Sequence, residues 1–261
     1  MKEAANDVVD KLQNLTVKDD EVEEEFKKDF GSRLRLVKGA LLIQEIGNQL
    51  HCSIISIAKA QVLFHQFQRL KKNAFNTVWL AASCLNLSIK LCEEDVKLDE
   101  VILKFYHAAQ DLKSTLNPDR PDPSSEELRQ MRRNLSLVQY SICGVMAFKV
   151  QCKIAHTYLY KFLAQLHSLS DVSEVVIISM SSTATKLLST YYLCEGCLDF
   201  NADEIAIACL QFTFLYCGVV VPSVKYLMKR ELSSVENKDR ISDILDELIL
   251  VSDVSTTLKY I

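Results

Sequence analysis

Between Asn76 and Asp95 the chain reads NTVWLAASCLNLSIKLCEED, and no other stretch limits the fold as tightly. It has helical length and no breaker, and Ala81, Ala82, Ser83 and Cys84 are all small. A helix with small residues on most faces can be approached closely from several sides, so it belongs at the buried centre of a helical domain. Lys90, Glu93 and Glu94 then bring charge to a fixed place on that domain's surface.

The remainder reads as all-α. Only 6 glycines and 4 prolines interrupt 261 residues, apolar runs are long, and strand-like alternation is scarce. The length suffices for two compact domains or one large one. A net charge of -4 offers no broad basic face, which argues against direct nucleic-acid binding. Nine cysteines, an odd number scattered through apolar helical segments, read as reduced thiols used as small hydrophobes. The opening MKEAANDVVDKLQ is acidic and amphipathic, and is expected to be neither a signal nor a transit peptide. The apolar run from Ile205 to Val221 is short for a bilayer and carries Gln211 and Thr213, so it is read as a core helix.

Along the chain, residues 1–31 read as an acidic lead-in helix. A helix is expected from Ser32, with Leu34, Val37, Leu41, Leu42 and Ile46 on its apolar side and Gly47 and Asn48 ending it. Ser53 is placed to cap the next, which buries Ile54, Ile57, Ala58, Val62 and Phe67. After the small-residue helix, a fourth spans Val96 to Ala109. Asn117 to Leu128 holds three of the four prolines and reads as an extended link, with SSEE as the cap of the helix beyond.

The second half repeats this programme. Helices are expected at His156–Leu166, Val172–Tyr192, Ala202–Gly218, a short one from Pro222, and an amphipathic one from Asn237 with Ile241, Ile244, Leu245, Leu248 and Val251 as its stripe. AASCL at Ala81–Leu85 and AIACL at Ala206–Leu210 occupy matching third positions, which reads as an internal duplication with a boundary near Phe148.

In the first half, IQEIGNQLHCSIISIAKAQVLFHQF resembles the entry and second helices of the cyclin family, specifically its transcription-type branch, and AASCLNLSIKLCEED resembles the third. FKVQCKIAHTYLYKFLAQL and ADEIAIACLQFTFLYCGVVVP resemble the join into that family's second fold and its central helix. The resemblance covers Leu34 to Pro222. It implies an all-α chain of two tandem five-helix cyclin folds, at 32–148 and 149–261, behind the lead-in segment at 1–31.

It also implies a regulatory subunit, not an enzyme, that forms a heterodimer with a cyclin-dependent kinase (one like the tenth) and activates it by holding its mobile helix inward. The implied location is the nucleus, with the cytoplasm also allowed, and no cofactor, metal or membrane is called for. The family's kinase-gripping lysine at the end of the third helix falls on Lys90, followed by Glu93 and Glu94; its fifth-helix glutamate falls on Gln139. Three departures stand out. The first acid after the lysine has become Cys92, the glutamate has become the uncharged Gln139, and the usual His-Pro before the second fold is Ile154-Ala155. A neutral contact at Gln139 has roughly half the strength of a charge-assisted one.

The remaining chemistry-bearing residues give no catalytic frame. Cys194 and Cys197 form a C-x-x-C without the further ligands zinc requires, and read as a packing pair. The five histidines are isolated, and neither a phosphate loop nor a framed nucleophile is present. Arg129, Arg132 and Arg133 read as a solvated helix face, with an acidic partner surface as the alternative. Two rival classes stay open: a cyclin-fold scaffold that activates no kinase, and a helical-repeat adaptor.

Overall fold

The computed structural model of the chain describes residues 31, 33–111, 123–168, 173–218 and 239–258. The lead-in helix expected before Asp29, the proline-rich link at 117–122 and the short helix expected at Pro222 lie outside them. The described residues form nine α-helices, one 3₁₀ turn and no strand. They are α1 (33–49), α2 (Ile54–Leu70), α3 (Thr77–Leu91), α4 (Leu98–Asp111), α5 (Ser125–Val145), α6 (Ala155–His167), α7 (Glu174–Tyr191), α8 (Ala202–Tyr216) and α9 (Asp239–Leu258), with the 3₁₀ turn at Glu195–Leu198.

Caps fix several of the starts. The Ser53 hydroxyl accepts from the Ser56 N–H at 3.2 Å, Asn76 from Val78 at 3.0 Å, and Ser124 from Glu127 at 3.3 Å. Glu127 returns the favour to the Ser124 N–H at 2.8 Å, completing a capping box. The acceptors satisfy amides that the first helical turn leaves unpaired.

The small-residue helices are the hubs. α3 packs against α2, α4 and α5, and α8 against α6, α7 and α9. Ala81, Ala82, Ser83 and Cys84 are all inaccessible to solvent, as are Ala206, Ala208 and Cys209. Short side chains let neighbouring backbones approach: the Ser88 hydroxyl donates to the Ser56 carbonyl across the α2–α3 interface at 2.6 Å. Two hydrophobic cores result. One joins Ile43, Phe64, Leu80, Leu85, Ile102 and Ile142 around α3. The other joins Leu159, Leu163, Met180, Leu188, Ile207 and Ile244 around α8.

α2 belongs to both cores. Ile57, Phe64 and Phe67 enter the first, while Ala58 and Val62 enter the second. Its His65 is fully buried, and Nε2–H donates to the Tyr192 carbonyl of the other half at 3.1 Å. The Tyr192 hydroxyl in turn accepts the Ala155 N–H at 2.9 Å, and its ring stacks on His156 at 5.5 Å. At the rim, the Arg69 guanidinium bonds Glu195 at 2.7 Å and Asp199 at 2.8 Å. Those ion pairs are half-exposed and stabilise little; the buried joint around Tyr192 carries more.

Gly47 corrects one sequence expectation. The Gly-Asn pair does not end α1, which continues to residue 49. Gly47 is there because a Cβ would lie 2.6 Å from the Ile57 side chain. Gly39 is tighter still, with 2.3 Å to the Phe64 ring. Phe64 is fully buried and cannot swing away. Gly39→Val should therefore cost about 1–3 kcal/mol through overpacking, seen as a lower urea midpoint with an unchanged slope.

Candidate interaction edge at the end of α3

α3 stops in a motif that its own sequence dictates. Cys92 is the C-cap, and Glu93 takes the left-handed conformation at φ 56°. The Glu94 N–H then reaches back to the Ile89 carbonyl at 3.1 Å, and the Glu93 N–H to that of Lys90 at 3.3 Å. This is the double-bonded helix ending usually built on glycine. Lys90 in the last turn complements the negative end of the helix dipole.

The four candidate residues do not act alike. Lys90 is exposed, and its ammonium donates to Gln139 Oε1 on α5 at 3.1 Å. Gln139 is buried, and its Nε2 donates to the Ser83 carbonyl on α3 at 3.3 Å. An amide can accept from the lysine and donate to the carbonyl at once; a carboxylate can do only the first. That gives Gln139 a physical reason to replace the acid. Glu93 is exposed beside Lys90. Glu94 turns inward instead: its Oε1 accepts the Ser53 N–H at 3.1 Å and the Ser53 hydroxyl, tying the end of α3 to the start of α2.

α5 contributes something that periodicity could not flag. Leu137 and Tyr140 are 64% and 74% exposed, one turn apart on one face, and Phe148 beyond the helix is 75% exposed. Large apolar side chains grouped this way on a surface mark an interaction site. Lys90 reaches α5 at Gln139, which shares the buried face with Leu135, Val138 and Ile142, whereas Leu137 and Tyr140 lie on the opposite face of that helix. A cation and a carboxylate thus mark the end of α3, and an apolar pair marks the outer face of α5.

The other candidates dissolve into the fold. Arg129 pairs with Glu126 at 2.5 Å, and Arg132 with Asp99 of α4, so two of the three arginines serve intramolecular contacts. Cys197 is buried in the second core, and among the described residues no cluster of three ligating side chains could hold a metal ion. Ile154 and Ala155 stand in for the missing His-Pro, and the Ala155 N–H is occupied by Tyr192. No helix among the described residues is long and apolar enough to cross a membrane.

No protein-family profile matches the chain. Individual relatives do. Cyclin-L1-1 of Oryza sativa subsp. japonica is 26% identical over 190 residues, covering 72% of this chain and 40% of the relative. Cyclin-T1 of Equus caballus is 24% identical over 186 residues, covering 71% and 24%. Cyclin-T2 of Homo sapiens is 24% identical over 188 residues with the same coverage. The chain thus spans about 40% of the cyclin-L1-1 length and about a quarter of the cyclin-T length. Among solved structures, a chain of the CAK complex from Chaetomium thermophilum bound to ATP-gamma-S superposes with a TM-score of 0.61 at 14% identity, covering 84% of this chain and 62% of that one.

The architecture is the all-α cyclin fold, with two small-residue hubs in tandem. Its sequence similarity lies with the cyclin family, toward cyclins L and T.

Proposed function

We propose that this chain is a non-enzymatic regulatory subunit that binds a cyclin-dependent kinase and activates it allosterically. The observation that carries the reading is the α3–α5 pair, where exposed Lys90 is held to Gln139 of α5 beside exposed Glu93, and α5 leaves Leu137 and Tyr140 open on its outer face. A kinase's mobile regulatory helix is amphipathic, and such a helix needs an apolar seat with charge beside it. Seating it against α3 and α5 would hold the kinase's Lys–Glu ion pair in the active arrangement. The proposed limits of the two folds are 32–148 and 149–261, each enclosing one hub.

The finer assignment rests on likeness in sequence alone. The chain resembles cyclin Q, which points to a kinase like the tenth cyclin-dependent kinase as partner, to the nucleus (with the cytoplasm also allowed) as its location, and to transcription or cell-cycle control as its setting. In this proposal Lys90, Glu93 and Gln139 contact or orient the kinase, and Glu94 supports the edge by fixing the start of α2.

Charge reversal tests the placement. Lys90→Glu puts two acids side by side with Glu93 and removes the donor to Gln139, so kinase affinity should fall about tenfold or more, with helicity unchanged. Binding and kinase activity equal to the parent's would remove Lys90 from the interface.

A further inference from the structure

A small pocket of about 170 Å³ lies between the start of α1 and the end of α2, and nothing in it depends on the docking proposal. Arg33 and Arg35 of α1 and Lys72, just past α2, line it together with Gln68 and Asn73. Among the described residues one carboxylate, Glu195, shares the wall, and it is bonded to Arg69 at 2.7 Å. Arg35 and Lys72 are exposed, and neither forms an ion pair.

The fold holds these groups in place. Asn73 takes the left-handed conformation at φ 56°, which asparagine tolerates better than most residues. Its side-chain oxygen accepts from Arg35 Nη1, and its N–H donates to Gln68 Oε1 at 3.2 Å. That second bond settles which end of the Gln68 amide is oxygen. Gln68 is only 4% exposed and lines the pocket, yet among the described residues its Nε2 has no acceptor. Buried amide donors are normally bonded, so this one points to a missing acceptor. A buried donor, a guanidinium with most of its N–H groups uncommitted and an ammonium converge on one space. Their common ligand is an oxyanion.

Size and surroundings narrow the choice. Pockets for drug-sized ligands run from about 300 to 1,000 Å³, so this one takes a single group. A cleft of about 420 Å³ adjoins it, sharing Arg33, Leu36 and Glu195 and adding Asp199 and Glu247. There is room in it for the chain that carries the group. Arg69 neutralises Glu195 and Asp199, while Glu247 accepts only the Tyr191 hydroxyl at 2.8 Å and is left to face a cation. These acids and the net charge of -4 disfavour polyanions such as nucleic acid or an anionic membrane.

We propose that the pocket binds the phosphoryl group of a phosphoserine or phosphothreonine in a partner protein, with a lysine or arginine of the same segment beside Glu247. The phosphoryl brings about two negative charges and three acceptor oxygens, which Arg35, Lys72 and the Gln68 amide meet. Arg35 is already held by Asn73 before the ligand arrives, which lowers the ordering cost of binding.

The full chain is passed over immobilised peptides, degenerate except for a phosphoserine with an arginine two or three positions away, and over the same peptides unphosphorylated. The phosphorylated set should bind about tenfold more tightly, and less so as salt is raised. Arg35→Met combined with Lys72→Met, both at exposed positions, should remove the difference, and glutamate in place of the peptide's arginine should weaken retention. Equal retention of the two sets, or a phosphopeptide preference that survives the double variant, would overturn the proposal. So would stronger binding to phosphatidylserine vesicles than to the phosphopeptides. Inorganic phosphate bound as tightly as the phosphopeptides would overturn it as well, because the adjoining cleft would then contribute nothing.

Discussion

Lowering the pH from about 6.5 to about 4 should destabilise this protein by several kcal/mol, before most carboxylates titrate. Burial holds both His65 and His156 down at about 4, against 6.5 for a solvated imidazole. Above 6.5 both are neutral in the folded and unfolded chain, so the full stability is present. As the pH falls below 6.5 the unfolded chain takes up protons that the folded one refuses, and stability is lost until about 4, where the folded imidazoles protonate too. Each histidine contributes on the order of 3 kcal/mol to this loss.

The site of the damage follows from the geometry. His65 joins α2 to Tyr192, and His156 stacks on the same tyrosine, so protonation strikes the joint between the two cores. Urea denaturation at a series of pH values should show the midpoint falling through this window. His65→Gln and His156→Gln should each flatten the curve. A midpoint constant from pH 7 to 4.5 would contradict the burial of these imidazoles.

The second large effect concerns the apolar stripe. Replacing Leu137 and Tyr140 together by aspartate should abolish kinase binding while leaving the fold intact. Both side chains are mostly exposed, so their loss opens no cavity in the core. If a partner helix covers them, burial contributes about 1.5–3 kcal/mol per side chain, and two buried charges add a further desolvation cost. The expected loss exceeds a hundredfold in affinity, measured by titration with a purified kinase subunit. An affinity within twofold of the parent would place the interface elsewhere. The single variants should each lose part of this.

These effects differ in how far they could be seen in the chain itself. The caps at Ser53, Asn76 and Ser124 are local signals, since each hydroxyl or amide bonds an N–H two or three residues on. The hubs at α3 and α8 were equally legible, because small residues in an apolar helix have one economical use. Gly47 was misleading for a physical reason: a Gly-Asn pair looks like a helix end, but contact with Ile57 decided its role.

Long-range pairings were invisible. The bond from His65 to Tyr192 spans 127 positions, and that from Ser53 to Glu94 spans 41. Nothing near either residue announces its partner. Hence Glu94 read as one of three surface charges, although its carboxylate is spent on α2. Nothing in the sequence singled out Leu137 and Tyr140, because periodicity cannot tell a face packed inward from one left open. Cys92 showed only as a departure from a resembled pattern; its contact with the Lys59 ammonium needed the fold.

Co-expression with a panel of cyclin-dependent kinases, the tenth among them, tests the central claim most directly. Co-purification and phosphorylation of a Ser-Pro peptide would be read together. A regulatory subunit should recover one kinase in stoichiometric amount and raise its activity well above that of the kinase alone. Failure to retain any kinase, or retention without any gain in activity, would contradict the activator role and leave a cyclin-fold scaffold in its place.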